Sequence, residues 1–518
     1  MQKISSDVSQ PLHSVAATRR IEQEAAAALP AHTLMQRAGL AVARLALALA
    51  PNARRIWIAC GPGNNGGDGF ETALHLHQWG KEVIVTWTGL TADQSQSPPD
   101  AQASRQRALA AGVVLAAGPP QDYDLCIDAL LGIGATLDPA RAGTAQIRHW
   151  LDLMRAGAAP CLAVDLPSGL NADTGVNSAA ITIKSIANNI HKKWTKRLFT
   201  LSLLTLKAGL FTADGRDSAG EVWFDPLGSD CLAITARTQP CAWLLGLDQA
   251  GQPAKMRAPH ASHKGSFGDV AVIGGQSSAA AATHMTGAAL LAARAALHAG
   301  AGRVFVALLG ADGPRVDTLQ PELMFRTPEA LDLKNQVVVC GCGGGEAIKS
   351  VIARVLSSAT RAVLDADALN AIATDPQLQT QLAARHGRGY STVLTPHPLE
   401  AARLAGSTAE AVQADRLGAA AQLAQRFRCV VVLKGSGSII AAPGQTSRVN
   451  ASGNALLATA GTGDVLAGMT GAQLSRGLGD FEAACCAVFE HGHRADTWAA
   501  HNPHRSLTAA ELATWQAG

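Results

Sequence analysis

Apolar residues recur at helical spacing from 17 to 50 and stop at Pro51-Asn52, which predicts a helical stretch ahead of the first strand. RIWIAC at 55–60 is a short apolar run, followed by the glycine loop GPGNNGGDG at 61–69. Helical spacing from Phe70 to Trp79 leads into a second apolar run, EVIVTW, at 82–87. Strand-like runs return at 124–130 and 161–166, with helical segments between them. Strands alternating with helices predict a parallel, doubly wound α/β sheet of Rossmann-like type. In such sheets ligands gather at the carboxyl ends of strands. Asn64, Asn65, Asp68, Asp128 and Asp165 all fall there.

After about residue 230 the chain turns to Gln239-Pro240 and Gly251-Gln-Pro253, which read as a linker. A second α/β series follows, with strands expected at 269–273, 303–308, 336–340, 362–365, 392–395 and 430–433. Each precedes a loop bearing Gly, Asp or His and then an Ala-rich helix. Two domains are therefore expected, 1–235 and 236–518, as suits a chain of 518 residues.

Composition narrows the partners. Net charge is only +3 and aromatics are 4% of the residues, so neither a nucleic-acid footprint nor an acidic tail is visible. The Ala/Leu run at 38–50 carries Arg44 and ends at Pro51, a helix and not a membrane span. No signal-like segment opens the sequence, which reads as soluble, cytoplasmic and free of membrane partners. Cys60, Cys161 and Cys429 sit in apolar runs as small hydrophobes. Cys340-Gly-Cys342 lacks zinc spacing, and Cys485, Cys486, His491 and His493 share no single metal-binding helical face. The basic stretch ITIKSIANNIHKKWTKRLF, 181–199, reads as a solvated surface excursion, with a membrane- or RNA-binding element as its alternative.

GPGNNGGDG follows a strand and precedes a helix, so its amides can face an anion. A tight Asn-Gly turn explains Gly66 but not two carboxamides and a carboxylate together, which are hard oxygen donors suited to a cation. In the second half, Gly461-Thr-Gly463-Asp464 stands at an expected helix start. A GxGD of this kind, as in ribokinase-like phosphotransferases, offers an amide anion hole and an Asp to take a hydroxyl proton. A glycine turn with a capping Asp is the plainer account. Lys434-Gly-Ser-Gly-Ser438 offers a second phosphate-facing loop, and His397 in Thr395-Pro-His-Pro-Leu-Glu400 is either a ligand or a satisfied turn residue.

In combination these motifs carry a resemblance. With LMQRAG (34–39), DALLGIGATLD (128–138) and VDLPSGL (164–170), the first half resembles the NAD(P)HX epimerases. With HKGSFGDVAVIGG (263–275), GAALLAARAALHAGAGRV (287–304), CGCGGG (340–345) and NALLATAGTGDVLAG (454–468), nearly all of 236–518 resembles the ADP/ATP-dependent NAD(P)HX dehydratases, of ribokinase-like fold. The resemblance implies a bifunctional repair enzyme acting on NADHX and NADPHX, the hydrated forms of the reduced dinucleotides. Asn64, Asn65, Gly66, Gly67 and Asp68 would hold the hydrate, together with Gly132, Ile133, Gly134, Ala135, Thr136, Leu137 and Asp138. Asn65, Asp128 and Ser168 would bind K⁺, and Asp165 would be the acid/base at C6 of the damaged ring. In the second half, Ala288, Gly343, His397 and Asp464 would contact the hydrate. Lys434, Gly435, Ser436, Gly437, Ser438 and Gly463 would contact ADP, with Mg²⁺ on its phosphates. Phosphoryl transfer to the C6 hydroxyl, followed by loss of phosphate, is the implied chemistry, and a homo-oligomer the expected assembly.

The sequence departs from the pattern twice. Lys207-Ala-Gly209, matching the family's Lys-x-Gly, is displaced by the extra residues of 181–199, and Gly341-Cys-Gly-Gly-Gly345 stands where GPGLG is common. A ribokinase-like small-molecule kinase fused to a nucleotide-binding or scaffold domain remains the alternative, since GxGD alone does not separate the two.

Overall fold

The computed structural model describes the chain outside residues 92–96, 136, 139, 141–142, 179–196, 252–258, 279–282, 311–314 and 516–518. Two compact units emerge, Met1–Ile4 with Pro11–Ala242, and Ser5–Gln10 with Trp243–Gly518. Most of the 181–199 segment lies outside the described residues.

The first unit is built from β1 (Gln2–Lys3), α1 (Val15–Ala27), α2 (Thr33–Leu49), β2 (Arg55–Cys60), α3 (Asn64–Gln78) and β3 (Glu82–Trp87). It continues with α4 (Pro99–Ala110), β4 (Val114–Ala116), β5 (Leu125–Ala129), α5 (Thr144–Ala156), β6 (Cys161–Val164), β7 (Leu198–Leu203) and β8 (Glu221–Asp225). Sheet order is β1-β8-β7-β6-β5-β2-β3-β4, parallel throughout except for the antiparallel β1. From β2 the chain builds outward to β3 and β4 on one side, then crosses back to β5 on the other. The switch point lies between β2 and β5, where a doubly wound sheet opens its crevice. Ile56, Ile58, Ile127, Leu162 and Val164 are fully buried on strands covered by helices, hence their continuous apolar character.

Two expectations needed correcting here. The 17–50 stretch is two helices, because Ala28–His32, containing Pro30, cannot continue α1 and His32 takes φ 66. Helix α3 begins at Asn64, not Phe70, so NNGGDG is its first turns and not a loop.

The second unit contains β9 (Asp269–Gly274), α6 (Thr286–His298), β10 (Arg303–Leu308), β11 (Val337–Cys340), β12 (Arg361–Leu364), α7 (Ala366–Thr374) and β13 (Ser391–Leu394). Then come α8 (Pro398–Ala405), α9 (Arg416–Phe427), β14 (Val430–Leu433), β15 (Ile439–Ala441), β16 (Arg448–Asn450), α10 (Thr462–Ser475) and α11 (Asp480–His501). Strands run in the order β10-β9-β11-β12-β13-β14-β15-β16, parallel up to β14 and antiparallel from there to β16. Helix α10 is buried nearly all round. Gly468 and Gly471 make that possible, since a Cβ there would meet Ala292 O at 2.0 Å and a Val339 methyl at 2.5 Å. Part of the expected linker is structured: Ser229–Arg237 is helical, and Trp243–Leu245 pair in parallel with β16, while Gln252 and Pro253 lie outside the described residues. Pro240 and Gly251 only punctuate these elements.

Both halves thus have the α/β class expected, each built on a largely parallel sheet. No helix among the described residues is long and apolar enough to cross a membrane.

Candidate active sites of the two units

In the first unit a cleft of about 790 Å³ opens at the switch point. Asn64, Asn65 and Asp68 reach it from one face of α3, since positions one turn apart share a helix face. Gly66 and Gly67 are occupied by packing. A Cβ on Gly66 would sit 1.9 Å from Gly61 O, and one on Gly67 would sit 2.6 Å from Met35 Sδ. Gly132, Ile133, Ala135 and Leu137 line the cleft. Gly134, at φ 79, has Arg19 where its Cβ would be, and exposed Asp138 accepts from Ala140 N–H at 2.9 Å. Thr136 lies outside the described residues.

Asp165 follows β6 at the cleft wall, in the left-handed region at φ 64. A non-glycine residue holds that conformation only when its surroundings over-determine it. Its N–H donates to Leu201 O at 2.8 Å and its carboxylate accepts from Leu203 N–H at 2.9 Å. The ammonium of Lys207, entirely buried, donates to the same carboxylate and to Leu203 O at 2.9 Å. Sequence spacing marked Lys207 only as a family signature, whereas the fold makes it the partner of Asp165. Burial, then Asp165 and Glu22, push Asp68 well above the usual carboxylate range.

Asn65, in the first turn of α3, and Asp128 and Ser168, at the ends of neighbouring strands, are all buried. Ser168 donates its hydroxyl and its N–H to Asp128, at 2.6 and 2.9 Å, and Leu130 N–H adds a third donor at 3.2 Å. All three donors are neutral, and no ion pair reaches Asp128 among the described residues. Asn65 Nδ2 is buried without a hydrogen-bond partner, and Gly132 packs on the same side chain, where a Cβ would stand 3.2 Å from Asn65 Cβ. The Asp128 carboxylate, without an ion-pair partner among the described residues, and the Ser168 hydroxyl bonded to it are hard oxygen ligands that suit a monovalent cation, and the amide oxygen of Asn65 is of the same kind.

In the second unit Asp464 stands in the first turn of α10, after Gly461 at φ 91, so the GxGD does open a helix. Burial first, then the Asp365 charge, push Asp464 up to about 7, with a hydrogen bond from Cys342 and the Lys434 charge pulling the other way. Lys434 Nζ donates to Asp365 Oδ1 at 2.7 Å and lies 3.9 Å from Glu400. Thr395 Oγ1 donates to the same Asp365 oxygen at 2.8 Å. A Cβ on Gly463 would sit 3.3 Å from Lys434 Nζ, so the amide turn and the ammonium are neighbours. Cys342, Asp365 and Asp464 place donor atoms within 4.8 Å of one another, but the ammonium of Lys434 already serves as the cation there.

The loop after β14 is braced from beneath. Buried Arg416 donates to Leu433 O at 3.3 Å and Lys434 O at 3.2 Å, and Gly435 at φ 139 leaves room for its guanidinium. Ser438 donates to Gly435 O at 3.2 Å, Gly437 takes φ 61, and Ser436 is exposed. Gly343, at φ 59, abuts Ala288, with 2.9 Å from a built Cβ to Ala288 Cβ. His397 caps α8, its Nδ1 accepting from Leu399 and Glu400 N–H at 3.1 and 3.3 Å. Its Nε2 is 3.3 Å from Glu400, and burial lowers the ring below its usual value, so it is a neutral N–H donor at pH 7. His491 donates from Nε2 to Thr462 O at 2.9 Å and is pushed down to about 4 by burial, a packing residue beneath the GxGD turn.

Asp365 and Glu22 were absent from the sequence reading. Asp365 ends a strand, as Asp128 and Asp165 do, and that position was its signal. Glu22 gave none, being one of several charges on α1.

Comparison with known proteins follows these two sites. The family model described as YjeF-related protein N-terminus matches residues 31–207, and that described as NAD(P)H-hydrate dehydratase matches residues 270–516. The bifunctional NAD(P)H-hydrate repair enzyme Nnr of Escherichia coli (strain K12) is 36% identical over 508 residues, covering 95% of this chain and 91% of that protein. The ADP-dependent (S)-NAD(P)H-hydrate dehydratase of Neisseria meningitidis serogroup B is 42% identical over 261 residues, 46% of this chain and 83% of that protein. Among solved structures, the ADP/ATP-dependent NAD(P)H-hydrate dehydratase of Bacillus subtilis co-crystallised with ATP/Mg²⁺ is 29% identical, with TM-score 0.42 over 50% of this chain and 92% of that chain. With both family models matched and the full-length likeness spanning nearly all of it, the chain belongs to the bifunctional NAD(P)H-hydrate repair enzymes.

Proposed function

We propose that the first unit interconverts the R and S epimers of hydrated NADH and NADPH, and that the second dehydrates the S form with ADP, releasing AMP and phosphate. The observation that carries the second activity is Asp464, a carboxyl pushed up to about 7 at a helix N-terminus, one residue after Gly463 and beside Lys434. A base near the working pH removes the proton of the C6 hydroxyl as that oxygen attacks the terminal phosphoryl group. The amides of Thr462 to Asp464 and the Lys434 ammonium face the charge that develops on the phosphate. Lys434 to Ser438 and Gly463 hold the nucleotide, while Ala288, Gly343 and His397 shape the hydrate side. Mg²⁺ carried on the nucleotide phosphates would add positive charge there. Loss of the phosphorylated C6 oxygen then regenerates the nicotinamide ring.

In the first unit, Asn64, Asn65, Asp68 and the 132–138 loop hold the hydrate over Asp165, which serves as acid/base for the reaction at C6. Asn65, Asp128 and Ser168 would hold K⁺, which would supply the counter-charge that Asp128 lacks. ADP is favoured because the Neisseria relative's name specifies it. The chain is tested with an R/S mixture of hydrated NADH and of hydrated NADPH, with ADP or ATP, following the near-ultraviolet absorbance of intact dihydronicotinamide. Complete recovery with ADP is expected, and absence of recovery with either nucleotide would overturn the reading.

A further inference from the structure

Alpha-helix α1 carries Glu22 into the same cleft as Asp165, and no mechanism above uses it. Its carboxyl is half-buried and has no hydrogen-bond or ion-pair partner among the described residues. Asp165 differs on each count, being paired with the Lys207 ammonium and anchored by Leu203 N–H. The cleft therefore holds two carboxyls from different elements, one in direct contact with a cation and one that feels Lys207 and Arg19 only at longer range. Sites that separate two carboxyls in this way assign one as base and the other as acid.

We infer that Glu22 is the second acid–base group of the epimerase, protonating the departing C6 hydroxyl while Asp165 accepts the proton of the incoming water. The inference rests on the epimerase reading of the first unit. As the C6–O bond breaks, the ring-nitrogen lone pair forms a C6=N⁺ bond, and the Glu22 proton leaves with the oxygen as water. Water then adds to the other face, the C6=N⁺ pair returns to nitrogen, and the proton of the attacking water passes to Asp165. No oxidant or further reactant is needed. The enzyme finishes with Glu22 ionised and Asp165 protonated, which is the state that starts the opposite inversion.

The surroundings agree with that assignment. Burial and the Asp165 charge push Glu22 upward, while Lys207 and Arg19 pull it down and Asp100 adds to the rise. Asp68, raised in part by Glu22, is the remaining acid facing it. Glu22 is thus a proton donor at a pH where an ordinary glutamate is ionised.

The test uses the full chain with an R/S mixture of hydrated NADH and ADP. The rapid phase reports dehydration of the S form and the slow phase reports epimerisation. Glu22→Gln should leave the rapid phase intact and cut the kcat of the slow phase about 10²-fold, with KM little changed. Glu22→Asp should recover part of that loss. The wild-type slow phase should decline as pH rises through the elevated Glu22 value, and Glu22→Gln should lose that descending limb. In ¹⁸O-water every inverted molecule should carry solvent oxygen at C6, and inversion with the original oxygen retained overturns the mechanism. An active wild type with an equally active Glu22→Gln overturns this inference alone. A wild type unable to epimerise overturns the epimerase reading and this inference with it.

Discussion

The ammonium of Lys434 donates to Asp365 at 2.7 Å, and this buried pair stands against Asp464. Asp365 raises Asp464 and Lys434 restrains the rise, so the pair sets the basicity of the group that takes the hydroxyl proton. Lys434→Met leaves Asp365 charged and uncompensated, an arrangement that costs about 3–5 kcal/mol. Urea unfolding should show that loss, and the base limb of the dehydratase pH profile should move to higher pH. The double variant Lys434→Met/Asp365→Asn should regain stability without regaining affinity for ADP. A single variant as stable as wild type would refute the coupling.

Asp464→Asn should lower dehydratase turnover about 10²–10⁴-fold while nucleotide binding, made largely by backbone amides, stays near wild type. In the wild type the rate should fall below pH 7, where Asp464 becomes protonated and stops accepting. Stability carries the same signature. Because the folded value of about 7 lies above the ordinary 3.8, the neutral form is preferred in the fold. The penalty for ionising it is absent at low pH, grows between those two values and is complete above them. Asp464→Asn should therefore melt above wild type at pH 8 and nearly with it at pH 4. Equal melting temperatures at both pH values would contradict this.

Asp128 should make the first unit responsive to K⁺. Raising K⁺ in place of a bulky organic cation should speed epimerisation and raise the melting temperature by mass action on the folded form. Asp128→Asn should abolish both responses, since the charge to be neutralised is gone. An undiminished K⁺ effect in that variant would place the ion elsewhere.

Asp165→Asn should restore the S fraction of a mixed hydrate at wild-type speed and then slow to the spontaneous rate. Lys207→Met should behave the same way, because Asp165 loses its cationic partner. A variant whose second phase is as fast as that of the wild type would remove that residue from the epimerase.

How much of this was legible in the sequence follows from which forces act locally. The strands at 82–87, 303–308 and 430–433 have the bounds that their apolar runs announce, and the run at 430–433, buried at every position, is apolar along its whole length. The GxGD of the second unit was legible because its glycine, φ 91 at Gly461, is a local requirement of that helix start. The start of α3 was not. Gly66, Gly67 and Gly69 each cost about 1 kcal/mol of helix propensity, and only close approach to Gly61 O, Met35 and the Cys60 thiol makes them necessary. Helix α1 likewise announced its apolar face but not that Glu22 looks into the cleft.

Sequence by itself determined the α/β alternation, the family and the carboxylates at strand ends, since each is written in residue type and spacing along the chain. Tertiary structure decided which charges meet. Lys207 is 42 residues from Asp165, and Lys434 is 69 from Asp365. Sheet order alone brings those partners into contact, and burial then makes each pairing matter, because a charge withdrawn from water must be matched within hydrogen-bond reach.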